Sequence, residues 1–334
     1  MKRPLIVAEL SCNHGGSLGT AIQTIRAAAN AGADAVKFQT WHQGLMCIDR
    51  GYYIKSGKWA GQNLAQLYER AWTPWEWHED LFDFAHKMGI MAFSTPFDHP
   101  SLLLLEGLMC PIYKVASFEL VDHQLIRAIA RTGKPMIMST GMANRHEVEM
   151  AAEAAIEAGC QDLTLLKCTS AYPAPPSEMN LRTMPDYMQF MRRIRHSAYG
   201  LSDHTIGSAA AVAAVAMGAA VIEKHFILDR KMGGPDAEFS MEPDEFKRMA
   251  DDCRIAAKAT GDISYGPTAS ENPELRRSLY FARAMKPGER IQEQDLITSR
   301  PNLGADPYSI GAYIDRIITK EVQAGTPLTP DSIT

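Results

Sequence analysis

Short apolar runs alternate with longer helix-forming stretches through about the first 260 residues of the chain. This alternation is typical of a parallel sheet, because parallel strands need a crossover connection between them. Eight strands are predicted, which is the number in a closed (β/α)8 barrel, and roughly 250 residues is the usual size of that fold. We therefore expect an α/β fold of the TIM-barrel type. The strands are predicted to begin at Leu5, Ala35, Ile90, Ile112, Pro135, Leu163, Ala198 and Ala220.

Helix-capping residues divide the segments between these strands. Thr73 followed by Pro74 predicts a helix start by N-cap and N1 chemistry. Asn144 predicts the start of another helix, which ends at Gly159. The segment 41–66 is too long for an ordinary loop, and long loops on the carboxyl side of a barrel commonly form the walls of an active site.

The composition changes after Ala257, where turn and breaker residues replace the apolar runs. This change predicts a linker over residues 263–277. The rest of the chain has short alternating stretches broken by glycine and proline, which predicts a compact, mainly β domain. We therefore predict a catalytic barrel over residues 1–262 and a small second domain over residues 278–334.

Charge and composition exclude several classes of protein. The net charge is −5 and the basic residues are scattered, so neither nucleic acid nor an acidic membrane is an expected partner. The amino terminus is too short and too polar for a signal peptide, and no apolar run reaches the length of a membrane span. We expect a cytoplasmic protein. The six cysteines lack CxxC spacing, which predicts buried reduced thiols.

Polar side chains end nearly every predicted strand. In a barrel the carboxyl ends of the strands meet at one mouth, so we expect these groups to share a cavity. Lysines together with hydroxyl groups favour a bound phosphate and carboxylate. The strand-end groups are Glu9, Lys37, Gln39, Ser94, Thr95, Lys114, Ser117, Ser139, Thr140, Lys167, Ser202, Asp203, His204, Lys224 and His225.

Two histidines and three acids complete the candidate site. His204 and His225 end successive predicted strands, and two imidazoles with water or substrate oxygens suit an open divalent site for manganese or magnesium. Glu9, Glu119 and Asp236 are candidate general acids or bases, because a carboxylate in a partly dry, lysine-rich mouth is suited to proton transfer.

With these residues assembled, the chain resembles the N-acetylneuraminate synthase family over nearly its whole length, and most closely the pseudaminic acid synthase branch. The branch features are TPWEWHEDLF, CTSAYPAP and PDAEFS. The resemblance implies a TIM barrel followed by an antifreeze-like SAF domain, and a domain-swapped homodimer. The family motifs are AELSCNHGG, ADAVKFQTW, FSTPFD, YKVASFELVDH, YGLSDHTIGS and VIEKHFILDRKMGGPDAEFSMEP.

The resemblance also implies roles for individual residues. Phosphoenolpyruvate would be bound by Lys37, Thr95, Lys114, Ser117, Ser139, Ser170 and Ser202. The divalent metal would be bound by His204 and His225. The catalytic groups would be Glu119, Lys37, Lys114 and Asp236. The acceptor sugar would contact Glu9, Gln39, Tyr172, Asp236 and Arg300.

The reaction implied by the resemblance is a carbon–carbon condensation. The metal would polarise the aldehyde of an N-acylated amino sugar, C3 of phosphoenolpyruvate would attack it, and water would add at C2 before phosphate leaves. For the pseudaminic branch the sugar is 2,4-diacetamido-2,4,6-trideoxy-L-altrose. Three alternatives stay open: an N-acetylneuraminate or legionaminic acid synthase, a spore-coat polysaccharide relative, and a non-catalytic sugar- or ice-binding protein.

Overall fold

The computed structural model describes residues 3–334 and contains a closed parallel barrel with strand order β1 to β8. Each strand starts within two residues of its predicted position, so the expected TIM-type barrel is confirmed. The strands are β1 Leu5–Glu9, β2 Ala35–Thr40, β3 Met91–Pro96, β4 Tyr113–Val115, β5 Met136–Ser139, β6 Asp162–Cys168, β7 His196–Asp203 and β8 Val221–His225.

Helices connect the strands and pack around the barrel. Asn144 forms a capping box with Glu147, and Gly159 follows the helix with a φ of 101°, as the sequence predicts. The helices are α1 Leu18–Asn30, α2 Leu64–Ala71, α3 His78–Lys87, α4 His99–Gly107, α5 His123–Arg131, α6 Arg145–Glu157, α7 Thr183–Asp186, α8 Ala209–Ala216 and α9 Pro243–Thr260. In the described part of the chain, no helix is both long and apolar enough to span a membrane.

The predicted cap at Thr73 is wrong. A 3₁₀ turn over Trp75–Trp77 precedes α3, and its N-cap Pro74 makes no side-chain capping bond. Thr73 is buried, and its hydroxyl instead pairs with Nε2 of His14 at 3.2 Å. A long-range partner has therefore replaced the local capping role that the Thr-Pro pair predicts.

The apolar core lies largely between the strands and the surrounding helices. Helix α5 contributes Leu125, Ile126 and Ile129, whose spacing places them on one buried face. Strands β7 and β8 approach closely at Gly200, where an added Cβ would lie 2.2 Å from the carbonyl oxygen of Val221. Glycine is therefore required there for the barrel to close without a backbone shift.

The chain divides into two compact units, Met1–Gly261 and Asp262–Thr334. The second unit contains a two-stranded antiparallel sheet of β9 Ser278–Phe281 and β10 Leu296–Ser299. Its own small core includes Leu279, Phe281 and Ile318. Residues 263–277 belong to this unit and contain a 3₁₀ turn over Pro273–Leu275.

Candidate active site at the barrel mouth

The carboxyl ends of β1, β2 and β8 bring charged side chains from distant parts of the sequence together. Glu9 is the register partner of both Lys37 and His225. Because side chains alternate between the two faces of a strand, adjacent strands in register present these three groups to the same side, which is the barrel interior. All three are buried.

Two lysines and two glutamates form a buried ionic cluster at this end of the barrel. Lys37 forms an ion pair with Glu9 and lies 3.9 Å from Glu223, and the Lys114 ammonium lies 4.0 Å from the same carboxylate. Ser202 donates to Glu223 at 2.9 Å. Burial raises the pKa of Glu223, but the neighbouring Lys114 and Lys37 outweigh it and hold that pKa below its usual value.

Sequence reasoning missed Glu223, although its strand supplied two other candidates. Glu223 precedes His225 by two positions, which places both on the interior face of β8. Lys224, between them, faces away: its ammonium donates to Asp203 at 2.8 Å and to the carbonyl oxygen of Gly207 at 3.1 Å. Applying the two-residue period backwards from His225 would have identified Glu223.

The same alternation contradicts the expectation that every strand-end group shares the mouth. Ser94 pairs with Thr40 at 2.6 Å, and the Thr40 hydroxyl also pairs with His78 of α3. Thr140 pairs with the Tyr187 hydroxyl at 2.7 Å. The groups that bond away from the interior, and so correct that expectation, are Ser94, Thr140, Lys167, Asp203 and Lys224.

Lys167 lines a separate cavity of about 700 Å³, together with Arg145 and Tyr187. Its ammonium donates to the carbonyl oxygen of Cys168 at 2.7 Å and to Thr169 at 3.3 Å. Because the side chain of Cys168 faces the interior of the barrel, that of its neighbour Lys167 faces outward.

Several serine hydroxyls at the mouth form a polar cradle. The Oγ atoms of Ser139 and Ser170 are buried without a hydrogen-bond partner. The Gly141 amide donates to Ser117 Oγ at 3.1 Å, and a Cβ at Gly141 would lie 2.2 Å from Ser170 Oγ and 2.7 Å from Ser117 Oγ. Buried hydroxyls without partners are unfavourable unless a ligand pairs with them, and a phosphate offers acceptor oxygens for such donors.

The two predicted metal ligands are neighbours at the mouth. The ring centroids of His204 and His225 are 5.3 Å apart, and Nδ1 of His225 is buried without a partner. Burial, reinforced by the charge of His204 and nearby lysines, holds the pKa of His225 well below its usual value. A neutral imidazole is the form that binds a metal, and His225 has that form. Burial lowers the pKa of His204, but the neighbouring Cys168 outweighs it and raises that pKa, so His204 must lose its proton when it binds a metal.

No cluster of three or more His, Cys, Asp or Glu groups suited to a metal occurs within residues 3–334. The donor set is therefore the imidazole pair alone. Two nitrogen ligands leave the remaining coordination positions for water and substrate oxygens, and the unpartnered His225 nitrogen is available. The residues present thus fit a divalent cation held in an open site.

Two of the candidate acids, Glu119 and Asp236, have different surroundings. Burial raises the pKa of Glu119 to about 7, and its Oε2 atom has no hydrogen-bond partner. Asp236 accepts a hydrogen bond from Ser11 at 2.5 Å and lies 3.7 Å from Nδ1 of His225. A carboxyl group that titrates near neutral pH can both give and take a proton, which suits Glu119 to acid–base chemistry.

The remaining sugar-side predictions fall in two places. Gln39 donates to Glu9 at 3.1 Å, and the Tyr172 ring lies 4.3 Å from that of His204, so both are at the mouth. Thr95 is also there and accepts from Lys37 at 3.3 Å. Arg300 belongs to the second unit and is exposed.

Cys168 is a further group that sequence reasoning did not place in the site. All six cysteines are free thiols, but the prediction that they are buried is wrong for Cys47, which is half-buried. Cys168 is buried, with its Sγ 3.8 Å from Nδ1 of His204. Burial raises the pKa of this thiol, but His204, Ser117 and Lys114 together lower it to about 7. Cys168 is the last residue of β6 and is in register with Ser202, and this position is the signal that could have identified it as a site residue.

Comparison with known families matches both parts of the chain. A model of the NeuB family matches residues 24–265, and a model of the SAF domain matches residues 276–334. A pseudaminic acid synthase of Campylobacter jejuni is 40% identical over 332 residues, covering 98% of this chain and 96% of that protein. An N,N'-diacetyllegionaminic acid synthase of the same species is 38% identical, covering 96% of this chain and 97% of that protein.

A solved structure is also similar to this chain. The crystal structure of an N-acetylneuraminic acid (sialic acid) synthetase from Leptospira borgpetersenii in complex with citrate has a TM-score of 0.71 and 31% sequence identity. The similarity covers 80% of this chain and 89% of the other.

Proposed function

This chain belongs to the NeuB family, and we propose that it condenses phosphoenolpyruvate with 2,4-diacetamido-2,4,6-trideoxy-L-altrose, forming pseudaminic acid and phosphate. One observation carries the proposal: the serine cradle, the two buried lysines and the histidine pair all lie at one barrel mouth. Similarity to pseudaminic acid synthases over nearly the full length supports the choice of acceptor.

The protein's own groups account for binding phosphoenolpyruvate. Lys37 and Lys114 supply positive charge, and the unpartnered Ser139 and Ser170 hydroxyls gain acceptors when the phosphate is bound. The ammonium groups of Lys37 and Lys114, which lie about 4 Å from Glu223, stabilise the negative charge that develops on the phosphate as it leaves. The C2–O bond then breaks toward a site already organised for an anion.

Glu119 is the proposed acid–base group. With a pKa near 7 it is present in both protonation states at neutral pH, so it can accept a proton from the attacking water or donate one to the developing alkoxide. The overall reaction balances: one carbon–carbon bond forms from C3 of phosphoenolpyruvate, water adds oxygen at C2, and inorganic phosphate leaves.

His204 and His225 are the proposed ligands of a manganese or magnesium ion. A divalent ion bound there supplies Lewis-acid polarisation of the aldehyde oxygen. Support comes from the neutral, unpartnered His225 and from its distance to His204. Asp236, 3.7 Å from His225, would orient that imidazole or face the sugar.

A legionaminic acid synthase is the second candidate function, because the C. jejuni enzyme of that name is 38% identical to this chain. It differs from the first candidate only in the acceptor sugar. A non-catalytic sugar-binding role is less well supported, since a simple lectin needs no buried lysine pair beside unpartnered serines.

The assembly and compartment are part of the proposal. We place the protein in the cytoplasm, where reducing conditions agree with its six free thiols. A homodimer with exchanged SAF domains, in which Arg300 contacts the partner's sugar, follows from the family resemblance. Light scattering at micromolar concentration tests the dimer, and a monomeric mass would refute it.

The direct test is phosphate release from phosphoenolpyruvate with manganese present. The diacetamido-trideoxy-altrose, its legionaminic-type counterpart and N-acetylmannosamine are offered in parallel, and the products are identified by mass spectrometry. Turnover confined to the altrose sugar is expected. Preference for either other sugar would move the function to that branch. If no phosphate is released with any of the three sugars, synthase activity on these acceptors is refuted.

A further inference from the structure

The long loop between β2 and α2 folds back on itself as a narrow hairpin. Ile54 donates to Gln62 at 3.0 Å, Gly61 donates to Ile54 at 2.8 Å, and Tyr53 forms an antiparallel bridge with Asn63. The turn of this hairpin, residues 55–60, is therefore held by backbone hydrogen bonds at its base. We call these six residues the loop tip.

The loop tip contacts the barrel mouth through Lys58 and Trp59. Lys58 pairs with Glu238 at 2.8 Å, and its ammonium lies 4.8 Å from the centre of the Phe239 ring. Trp59 packs against Tyr172 with ring centroids 5.2 Å apart. Because Tyr172 itself lies against His204, a single aromatic ring separates Trp59 from the candidate metal ligand.

The indole N–H of Trp59 is buried and has no acceptor. Two other indoles, those of Trp72 and Trp75, follow α2 and have an acceptor: both donate to the carbonyl oxygen of Trp41 at the start of the loop, at 3.1 and 2.9 Å. A buried donor without a partner is unfavourable, and native proteins retain few of them. An unpaired donor at the mouth of a sugar site therefore points to an acceptor supplied by the ligand.

The surroundings of this N–H select the kind of acceptor. Trp59, Tyr172 and Phe239 form an aromatic wall, with Tyr172 and Phe239 rings 5.1 Å apart. Such a wall suits a methyl group beside a neutral carbonyl, which is the chemistry of an N-acetyl group. The buried Lys37 and Lys114 are the proposed partners of the anionic groups of phosphoenolpyruvate, so those groups do not need the Trp59 N–H.

We propose that Trp59 determines acceptor specificity by donating its indole N–H to the carbonyl oxygen of one N-acyl group of the sugar. This inference rests on the proposed function, which gives the acceptor two such groups. It goes further by assigning one of them to a residue outside the family motifs quoted above.

The test is the variant Trp59→Phe, which keeps an aromatic ring and removes the donor. Steady-state kinetics with the diacetamido sugar should show kcat/KM for the sugar reduced about 10-fold, with KM for phosphoenolpyruvate unchanged. The same comparison is made with the two analogues that each lack one acetamido group. With one of these analogues, wild type and variant should have equal kcat/KM, because the hydrogen bond is already absent.

Trp72→Phe is the matched control. It also deletes an indole N–H, but one that is bonded to the Trp41 carbonyl oxygen, so it should lower the melting temperature without changing selectivity among the three sugars. If wild type is active and Trp59→Phe has the same kcat/KM for the sugar, the role of Trp59 is overturned and the proposed function is not. A raised KM for phosphoenolpyruvate in that variant would have the same meaning. Wild type inactive with every acceptor would instead overturn the proposed function and this inference with it.

Discussion

Replacing Glu119 by glutamine should make the protein more stable at alkaline pH while strongly lowering its activity. Burial raises the pKa of Glu119 from 4.5 to about 7. In the unfolded chain the carboxyl group loses its proton near pH 4.5, but in the folded protein it does so only near pH 7. Between these values the folded state binds more protons, so its stability falls as pH rises.

The magnitude follows from the size of the shift. A difference of roughly 2.5 pKa units at about 1.4 kcal/mol per unit corresponds to about 3 kcal/mol of folding free energy lost by pH 8. Glutamine resembles the protonated acid and carries no charge at any pH. Its stability advantage over wild type should therefore be close to zero at pH 4.5 and about 3 kcal/mol at pH 8.

Urea denaturation of both proteins at pH 4.5, 6 and 8 measures this difference. Glu149→Gln is the matched control, because it makes the same carboxylate-to-amide change at an exposed position on α6. Turnover of Glu119→Gln should fall at least about 100-fold if the carboxyl group transfers a proton. A stability difference that stays constant across the three pH values would refute the reasoning that burial raises this pKa.

Three further outcomes are expected. His225→Ala should lose activity and manganese binding while keeping its circular dichroism spectrum, because the buried Nδ1 atom has no partner to lose; unchanged turnover after metal stripping and readdition would contradict the metal assignment. Gly141→Ala should raise KM for phosphoenolpyruvate at least about 10-fold, because its Cβ enters the serine cradle, and an unchanged KM would place the phosphate elsewhere. Asn144→Ala should cost about 1 kcal/mol of stability by losing a capping box, measured by urea denaturation, with kinetics as in wild type.

Local patterns in the sequence were sufficient for the fold and for much of the site. The strand positions followed from short apolar runs, and the start of α6 followed from Asn144, because both depend on neighbouring residues. Thr73 failed as a cap because a histidine nearly sixty positions away competes for its hydroxyl. Competition of that kind has no local signature.

The sequence by itself determined the order of the strands, the family and the set of residue types at the mouth. Tertiary structure decided which of two adjacent polar groups faces the interior, since barrel closure sets the phase of every strand at once. It also brought Glu9, Lys37 and Glu223 into one buried cluster and left the Trp59 indole without an acceptor. Contacts between distant segments and the exclusion of water arise only when the chain has folded, and these two factors set the charge and hydrogen-bonding state of the site.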